Sequence, residues 1–166
     1  MKQDMAQWRT LFEPVAQCVP PATRSEQLCA LRFSVPDDWT TLSRSETLSY
    51  FLSPDEESSI SVQCITPETT DGIEAHDILT AFVEGMQQEL DAYHPVYQRN
   101  CTGKIGTYAA YGFRYTVTVR GQEIPNSTVL FLVGQHVYCI SFADQNGTKG
   151  FSYAIALLES LSLGTE

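Results

Sequence analysis

Thr107-Tyr-Ala-Ala-Tyr-Gly-Phe-Arg-Tyr-Thr-Val-Thr-Val119, followed by Arg120-Gly121-Gln122, is the stretch whose reading decides the fold. Its odd positions are Ala109, Tyr111, Phe113, Tyr115, Val117 and Val119, and its even positions are Ala110, Gly112, Arg114, Thr116, Thr118 and Arg120. A period of two with one apolar and one wetter side is the signature of a strand buried on one face. Arg120-Gly121-Gln122 supplies a turn, Val129 to Val133 an apolar run, Gly134-Gln135 a second turn, and His136 to Ala143 a third alternating segment. Three strands joined by such short turns form an antiparallel meander.

On the N-terminal side of the meander the period changes. Ile78, Phe82, Met86 and Leu90 recur at helical spacing, and Leu79, Val83 and Tyr93 widen the stripe, so a long helix is expected over about 73–93. Asp71 and Glu74 match a capping box at its start, and Pro95 ends it. Val96 to Cys101 reads as a further strand leading into the meander. Residues 46–53 and 58–66 read as a hairpin around Ser53-Pro-Asp-Glu-Glu57, with Ile60, Val62 and Cys64 on one side and Ser59, Ser61 and Gln63 on the other. Leu31, Phe33 and Val35 alternate in a strand over 28–35 that Pro36 stops. Beyond the meander, Phe151, Ala154, Ile155, Leu158 and Leu161 mark a closing helix. The elements predict an α+β fold: a central, mostly antiparallel sheet of about six to seven strands, with the long helix and the C-terminal helix packed on it as an α/β/α sandwich.

Residues 1–26 stand apart from this single domain over 27–166. Met5, Trp8, Leu11 and Phe12 form a short amphipathic stripe that either docks on the body or awaits a partner, and Cys18 to Glu26, with Pro20-Pro21, reads as linker. With 166 residues, 43% hydrophobic and 18% charged, the chain can bury a full core without a metal or a disulfide framework. Its longest apolar stretches are strand-sized, which excludes a membrane-spanning helix from the sequence.

Of the formal net charge of −10, the whole surplus lies between Asp37 and Asp91, where thirteen acids face one base, Arg44. That field repels nucleic-acid phosphate and anionic lipid; it suits a basic partner or simply solubility. Cys18, Cys29, Cys64, Cys101 and Cys139 show no metal-ligand spacing, so no metal is expected. Cys64 and Cys139 fall inside apolar strand patterns, while Cys18 and Cys29 remain able to pair if the protein is exported. The odd cysteine count, together with Trp8, Arg9 and Glu13 where a signal peptide would be apolar, favours the cytoplasm; a leader removed before residue 1 would leave the periplasm open. Asn100-Cys-Thr102, Asn126-Ser-Thr128 and Asn146-Gly-Thr148 match the glycosylation pattern, which matters only in a eukaryotic secretory route.

Phe33-Ser-Val-Pro36-Asp-Asp-Trp39, followed by a hairpin, a long helix, a meander carrying Gly112-Phe-Arg-Tyr115 and a short C-terminal helix, resembles the PsbP/DcrB-like group over about residues 28–163. The group includes photosystem accessory proteins, DcrB-type envelope proteins, the Mog family of Ran-binding proteins and the Eag chaperones of type VI secretion effectors. The resemblance implies a binding or accessory protein without a shared catalytic centre or cofactor, and a structural role for Phe33, Pro36 and Trp39. The appended helix and Pro-Pro segment depart from an Eag chaperone, and no lipobox precedes the domain.

For chemistry the residues offer little. No G-x-S-x-G, P-loop or H-E-x-x-H is present. His76 beside Asp77 diverges from it by about 100° around a helix, His94 lies at a helix end, and His136 follows a turn. Cys139, three residues on along the same strand, faces away from His136. No catalytic residue is assigned. The candidate binding surface is instead the polar side of the decisive strand, Arg114, Thr116, Thr118 and Arg120, together with Tyr138, because surfaces mixing Tyr and Arg are common in recognition. The expected function is a non-enzymatic module that binds a protein partner at the sheet face or acidic surface, compatible with a homodimer. Alternatives are an Eag-like chaperone with an apolar concave face, and a small hydrolase or isomerase with a histidine in a pocket at the sheet's mouth.

Overall fold

The computed structural model describes residues 5–67 and 75–163, the side chains of Ala75 and His76 excepted. The expected capping box at Asp71 and Glu74, the first residues of the expected helix and the surroundings of the His76 ring therefore lie outside the described residues. Among those described, the order is α1 (Ala6–Phe12), β1 (Thr23–Leu28), β2 (Leu31–Pro36), β3 (Thr40–Arg44), β4 (Leu48–Leu52), β5 (Ser58–Ile65), α2 (Ala75–Tyr93), β6 (Tyr97–Ile105), β7 (Tyr108–Val119), β8 (Gln122–Val133), β9 (His136–Asp144), α3 (Lys149–Ser152), α4 (Ala154–Ser160) and β10 (Ser162–Leu163).

The decisive stretch is β7, and the meander β7-β8-β9 forms as the alternation predicts, each strand antiparallel to the next. Arg120 and Gly121 both take positive φ, 52° and 80°, the two-residue hairpin geometry that follows the natural twist of the strands. The meander sits in a seven-stranded antiparallel sheet of order β3-β4-β5-β9-β8-β7-β6. The fold is α+β, as expected, but with a second sheet that the sequence did not reveal: β1, β2 and β10 form three strands of their own. The strand expected over 28–35 is thus β2 of this smaller sheet and not part of the central one. Thr23–Leu28, read as linker up to residue 26, is its neighbour β1, whose six residues bury only Leu28.

The two faces of the large sheet have different fates because strand side chains alternate. Val129, Phe131, Tyr138, Ile140, Phe142, Ile60, Val62 and Cys64 share one core with α1, α4 and the smaller sheet. Phe113, Leu130, Leu132 and Val137 share the other with α2 through Ile78, Leu79 and Leu90. Helix α1 docks on the first core: Trp8, Leu11 and Phe12 are fully buried, and Trp8 Nε1 donates to Lys104 O at 3.1 Å. Gly112 and Gly103 make room for that indole, since a Cβ on Gly112 would stand 2.9 Å from both Trp8 Cζ3 and Leu11 Cδ2.

At the end of β9, Asp144 is a buried carboxylate that joins three elements. Its Oδ1 accepts from Ser58 Oγ at 2.6 Å and from the Gly150 amide at 2.9 Å, and its Oδ2 accepts from the Phe151 amide at 3.1 Å. Burial pushes its carboxyl above the ordinary value, and these donors pull the other way.

Candidate functional site

On the α2 side, cover is incomplete. The apolar stripe of α2 is buried at Ile78, Leu79 and Leu90, whereas Phe82, Val83 and Met86 are only half-buried. Beneath Phe82, Gly85 and Met86 runs a trough of about 630 Å³, lined from the sheet by Gln63, Ile65, Tyr115, Thr128, Leu130, Cys139 and Ser141 and from the helix also by Glu89. Ser141 also borders a second hollow of about 340 Å³ that continues across Ser61 and Ser59 to Tyr50 and Leu48. The two hollows adjoin at Ser141 along the uncovered side of β4, β5 and β9.

Register explains the chemistry of its floor. Thr128 pairs with Ser141, Ser141 with Ser61, and Ser61 with Tyr50, a single rung of hydroxyls across four strands. Thr128 Oγ1 and Ser141 Oγ lie 3.0 Å apart. Burial holds the Tyr115 phenol above its usual value; Thr128 hydrogen bonding offsets part of this, and Glu89 adds to it. Tyr115 therefore stays protonated and able to donate. Burial likewise pushes the Cys139 thiol in the floor up to about 12, which leaves it a protonated, weakly nucleophilic group.

Among the described residues one acid, Glu89, lines the trough, and the helix that roofs it is acidic elsewhere. Helix α2 carries Asp77, Glu84, Glu89 and Asp91, and no lysine or arginine occurs anywhere between Arg44 and Arg99. Gly85 lines the trough in the middle of the helix, and a Cβ added there would meet no atom within 4 Å. A glycine inside a helix costs roughly 0.5–1 kcal/mol relative to alanine, and here it keeps the mouth of the trough wide.

The residues singled out from the sequence do not converge on this trough. Arg114 faces the opposite side of the sheet, where its Nη1 donates to Leu11 O at 3.3 Å and also to Glu13 O, and its guanidinium lies 5.1 Å from the Phe151 ring centre. With Arg99, which donates to Thr10 O and Glu13 O, it satisfies the carbonyls left open at the end of α1. Tyr138 is 1% exposed and stacks on Phe131 at 5.5 Å, inside the core. Thr116 is half-buried and Thr118 exposed, and Arg120 occupies the β7–β8 hairpin tip. These five are thus distributed over a helix clamp, a core position and an exposed strand end. Phe33 and Trp39 are buried, in ring contact with Phe51 and Tyr153, and Pro36 is the buried last residue of β2.

Two histidines are described in full. His94 is exposed with φ 52° beyond α2, and His136 Nδ1 lies 2.7 Å from Thr66 Oγ1. Among the described residues no cluster of His, Cys, Asp and Glu is arranged to hold a metal ion, and no helix is long and apolar enough to cross a membrane.

The trough residues that the sequence left unassigned are Ser59, Ser61 and Gln63. Their signal is a polar face on a strand whose sequence neighbours suggested an interior place.

The same architecture occurs in solved proteins of distant sequence. A protein from Bacteroides thetaiotaomicron VPI-5482 is 18% identical over 82% of this chain with a TM-score of 0.53, and the chain spans only 46% of that protein's length. LpqN of Mycobacterium tuberculosis, described as involved in cell envelope biogenesis, is 14% identical, with 81% of this chain and 83% of LpqN covered and a TM-score of 0.58. At these identities the likeness is one of fold. No family model matches the chain, and no curated protein matches it.

Proposed function

We propose that the chain is a non-enzymatic binding module of the PsbP/DcrB-like kind, which seats an extended, basic segment of a partner protein in the trough between α2 and β4-β5-β9. The observation that carries this is the trough itself: an apolar half-roof of Phe82 and Met86 over a mixed floor in which Gln63, Thr128 and Ser141 alternate with Ile65, Leu130 and Cys139, beside a helix whose charged residues are all acidic. Small hydroxyl side chains leave room for a backbone to approach and offer it donors and acceptors. Glu89 in the trough and the acidic helix beside it favour lysine or arginine in the incoming segment and raise its association rate at low salt.

An apolar helix, the cargo of a secretion chaperone, is poorly served here, because it would cover the hydroxyl rung without replacing its bonds to water, a loss of roughly 1–3 kcal/mol for each buried unpaired group. For hydrolysis the described histidines have poor placement, since His136 turns to Thr66 at the strand end and His94 is exposed on a loop.

The test uses fluorescence polarisation with a set of labelled peptides that vary in basic charge and side-chain size, read against the full chain and against Gly85→Trp. Basic peptides should bind more weakly as salt rises, and Gly85→Trp should weaken them by about tenfold or more, equivalent to about 1.4 kcal/mol. Its folding stability should stay level or rise by up to about 0.5 kcal/mol, since tryptophan exceeds glycine in helix propensity. Unchanged binding by Gly85→Trp, equal binding of acidic peptides, or turnover of an ester that depends on His136 would overturn the proposal.

A further inference from the structure

Away from the trough, on the opposite face of β5, two cysteines meet that sequence spacing gave no reason to pair. Cys29 opens the two-residue turn between β1 and β2 with φ 53°; it is exposed, and its Sγ lies 3.7 Å from Glu46 O. Cys64 lies on β5 with 2% of its surface exposed, and its amide donates to Thr47 O at 2.9 Å. Cys29 is thus held against residue 46 and Cys64 against residue 47, the next along the chain, which brings the two cysteines side by side, and the neighbouring Cys29 helps to raise the Cys64 thiol. Tyr138 of β9 is the register partner of Cys64, and burial and the neighbouring Cys64 raise its phenol to about 12. Cys18, by contrast, is held through its amide to Ser152 O at 2.9 Å and lines a different hollow, beside Arg9 and Ile155.

We infer that Cys29 and Cys64 are a redox pair that closes to a disulfide when the protein meets a low-molecular-weight disulfide such as oxidised glutathione, tying the β1–β2 hairpin of the smaller sheet to β5 of the larger one. The exposed sulfur acts first. Cys29 thiolate attacks one sulfur of the glutathione disulfide, forming a mixed disulfide and expelling one glutathione thiolate. Cys64 then loses its proton and attacks Cys29 Sγ, and the second glutathione leaves as a thiolate. Two cysteine thiols are oxidised by two electrons, one glutathione disulfide is reduced to two thiols, and the two cysteine protons end on the departing glutathiones. Burial and the neighbouring Cys29 push the Cys64 thiol up to about 12, so the second step is the slow one and the Cys29 adduct is its visible intermediate.

The link closes a loop across two sheets that are otherwise joined in this region by side chains, among them the Arg44 pair with Glu26 and the Arg24 bond to Thr41 Oγ1. The full chain is incubated with oxidised glutathione, alkylated, and read by intact mass, peptide mapping and thermal melting. The expected result is loss of two hydrogens, a mapped Cys29–Cys64 peptide and a Tm rise of roughly 5–10 °C that dithiothreitol reverses. Cys29→Ser should abolish the link and the shift. Cys64→Ala should stop at a glutathione adduct on Cys29, and Cys18→Ser should leave the Cys29–Cys64 peptide and the Tm rise unchanged. A Cys18–Cys29 link, a permanent glutathione adduct on Cys29 of the unsubstituted chain, or no reaction at Cys29 would each overturn the inference. Because Cys29 is exposed, its variant reports even if Cys64→Ala proves unstable.

Discussion

Replacing Gly112 by alanine tests whether α1 belongs to the domain. The added Cβ would stand 2.9 Å from Leu11 Cδ2, 2.9 Å from Trp8 Cζ3 and 3.1 Å from Cys101 Sγ. None of the first two can swing away: the indole is fully buried and fixed by its bond to Lys104 O, and Leu11 is fully buried beside it. Overpacking of this kind costs about 1–3 kcal/mol. Trp8→Ala removes the indole and should cost about 3–5 kcal/mol. In the double variant, however, one of the two contacts below 3.0 Å no longer exists and the new methyl fills part of the space the indole left. The double variant should therefore be more stable than the sum of the singles by about 1–2 kcal/mol, well beyond the spread seen for independent sites. Urea unfolding followed by far-ultraviolet circular dichroism measures all four proteins without relying on tryptophan emission. Strict additivity, or a Gly112→Ala chain as stable as the parent, would mean that α1 does not lie on β7.

Asp144 gives a pH test whose sign follows from its environment. Its folded carboxyl binds a proton more tightly than the unfolded one, so between the ordinary value of 3.8 and the raised folded value the folded state holds the extra proton and stability falls as pH rises. Asp144→Asn lacks this titration, and its deficit relative to the parent should shrink as pH climbs through that window; a constant or growing deficit in urea melts would refute it. The thiols give a kinetic test. N-ethylmaleimide, whose thioether leaves no disulfide for a neighbouring thiol to attack, should modify the exposed Cys18 and Cys29 quickly, and reach Cys64, Cys101 and Cys139 only on unfolding, because burial raises those three to about 12, about 11 and about 12. Rapid modification of three or more thiols in the native protein would contradict that packing.

The meander was legible because its strands pair with sequence neighbours and each alternates cleanly, so turn chemistry and period told the same story. Helix α2 was legible for the same reason. The smaller sheet was not. β1 buries a single side chain of six and β10 is two residues long, so neither carries an apolar alternation to read. β2 does alternate, with Leu31, Phe33 and Val35 inside, but a period fixes the buried face of a strand without naming the neighbour it bonds. Arg114 shows the same limit. Its place on the wetter side of β7 was visible in the sequence, while the acceptors it serves, Leu11 O and Glu13 O, are about a hundred residues away along the chain.

The trough follows from the same alternation once both faces are weighed together. On β5 the inward residues Ile60, Val62 and Cys64 are apolar and the outward ones, Ser59, Ser61 and Gln63, are polar. Laying α2 squarely over β5 would strip water from those groups, and each one left without a partner costs roughly 1–3 kcal/mol. The apolar half of the same sheet face, Phe113, Leu130, Leu132 and Val137, offers the opposite: about 25 cal/mol gained per Å² of apolar surface covered. Helix α2 therefore settles towards β7 and β8, where Gln87 also pairs with Gln98 of β6 at 2.8 Å. Phe82 and Met86 are left at the edge of that cover, facing a floor that no element of the described chain closes. Exchanging Ser61 and Ser141 for valine removes the polar penalty that keeps the helix aside. Such a chain should draw α2 over the hollows, gain stability and lose affinity for basic peptides together, whereas a trough maintained by anything other than this polarity would keep its binding.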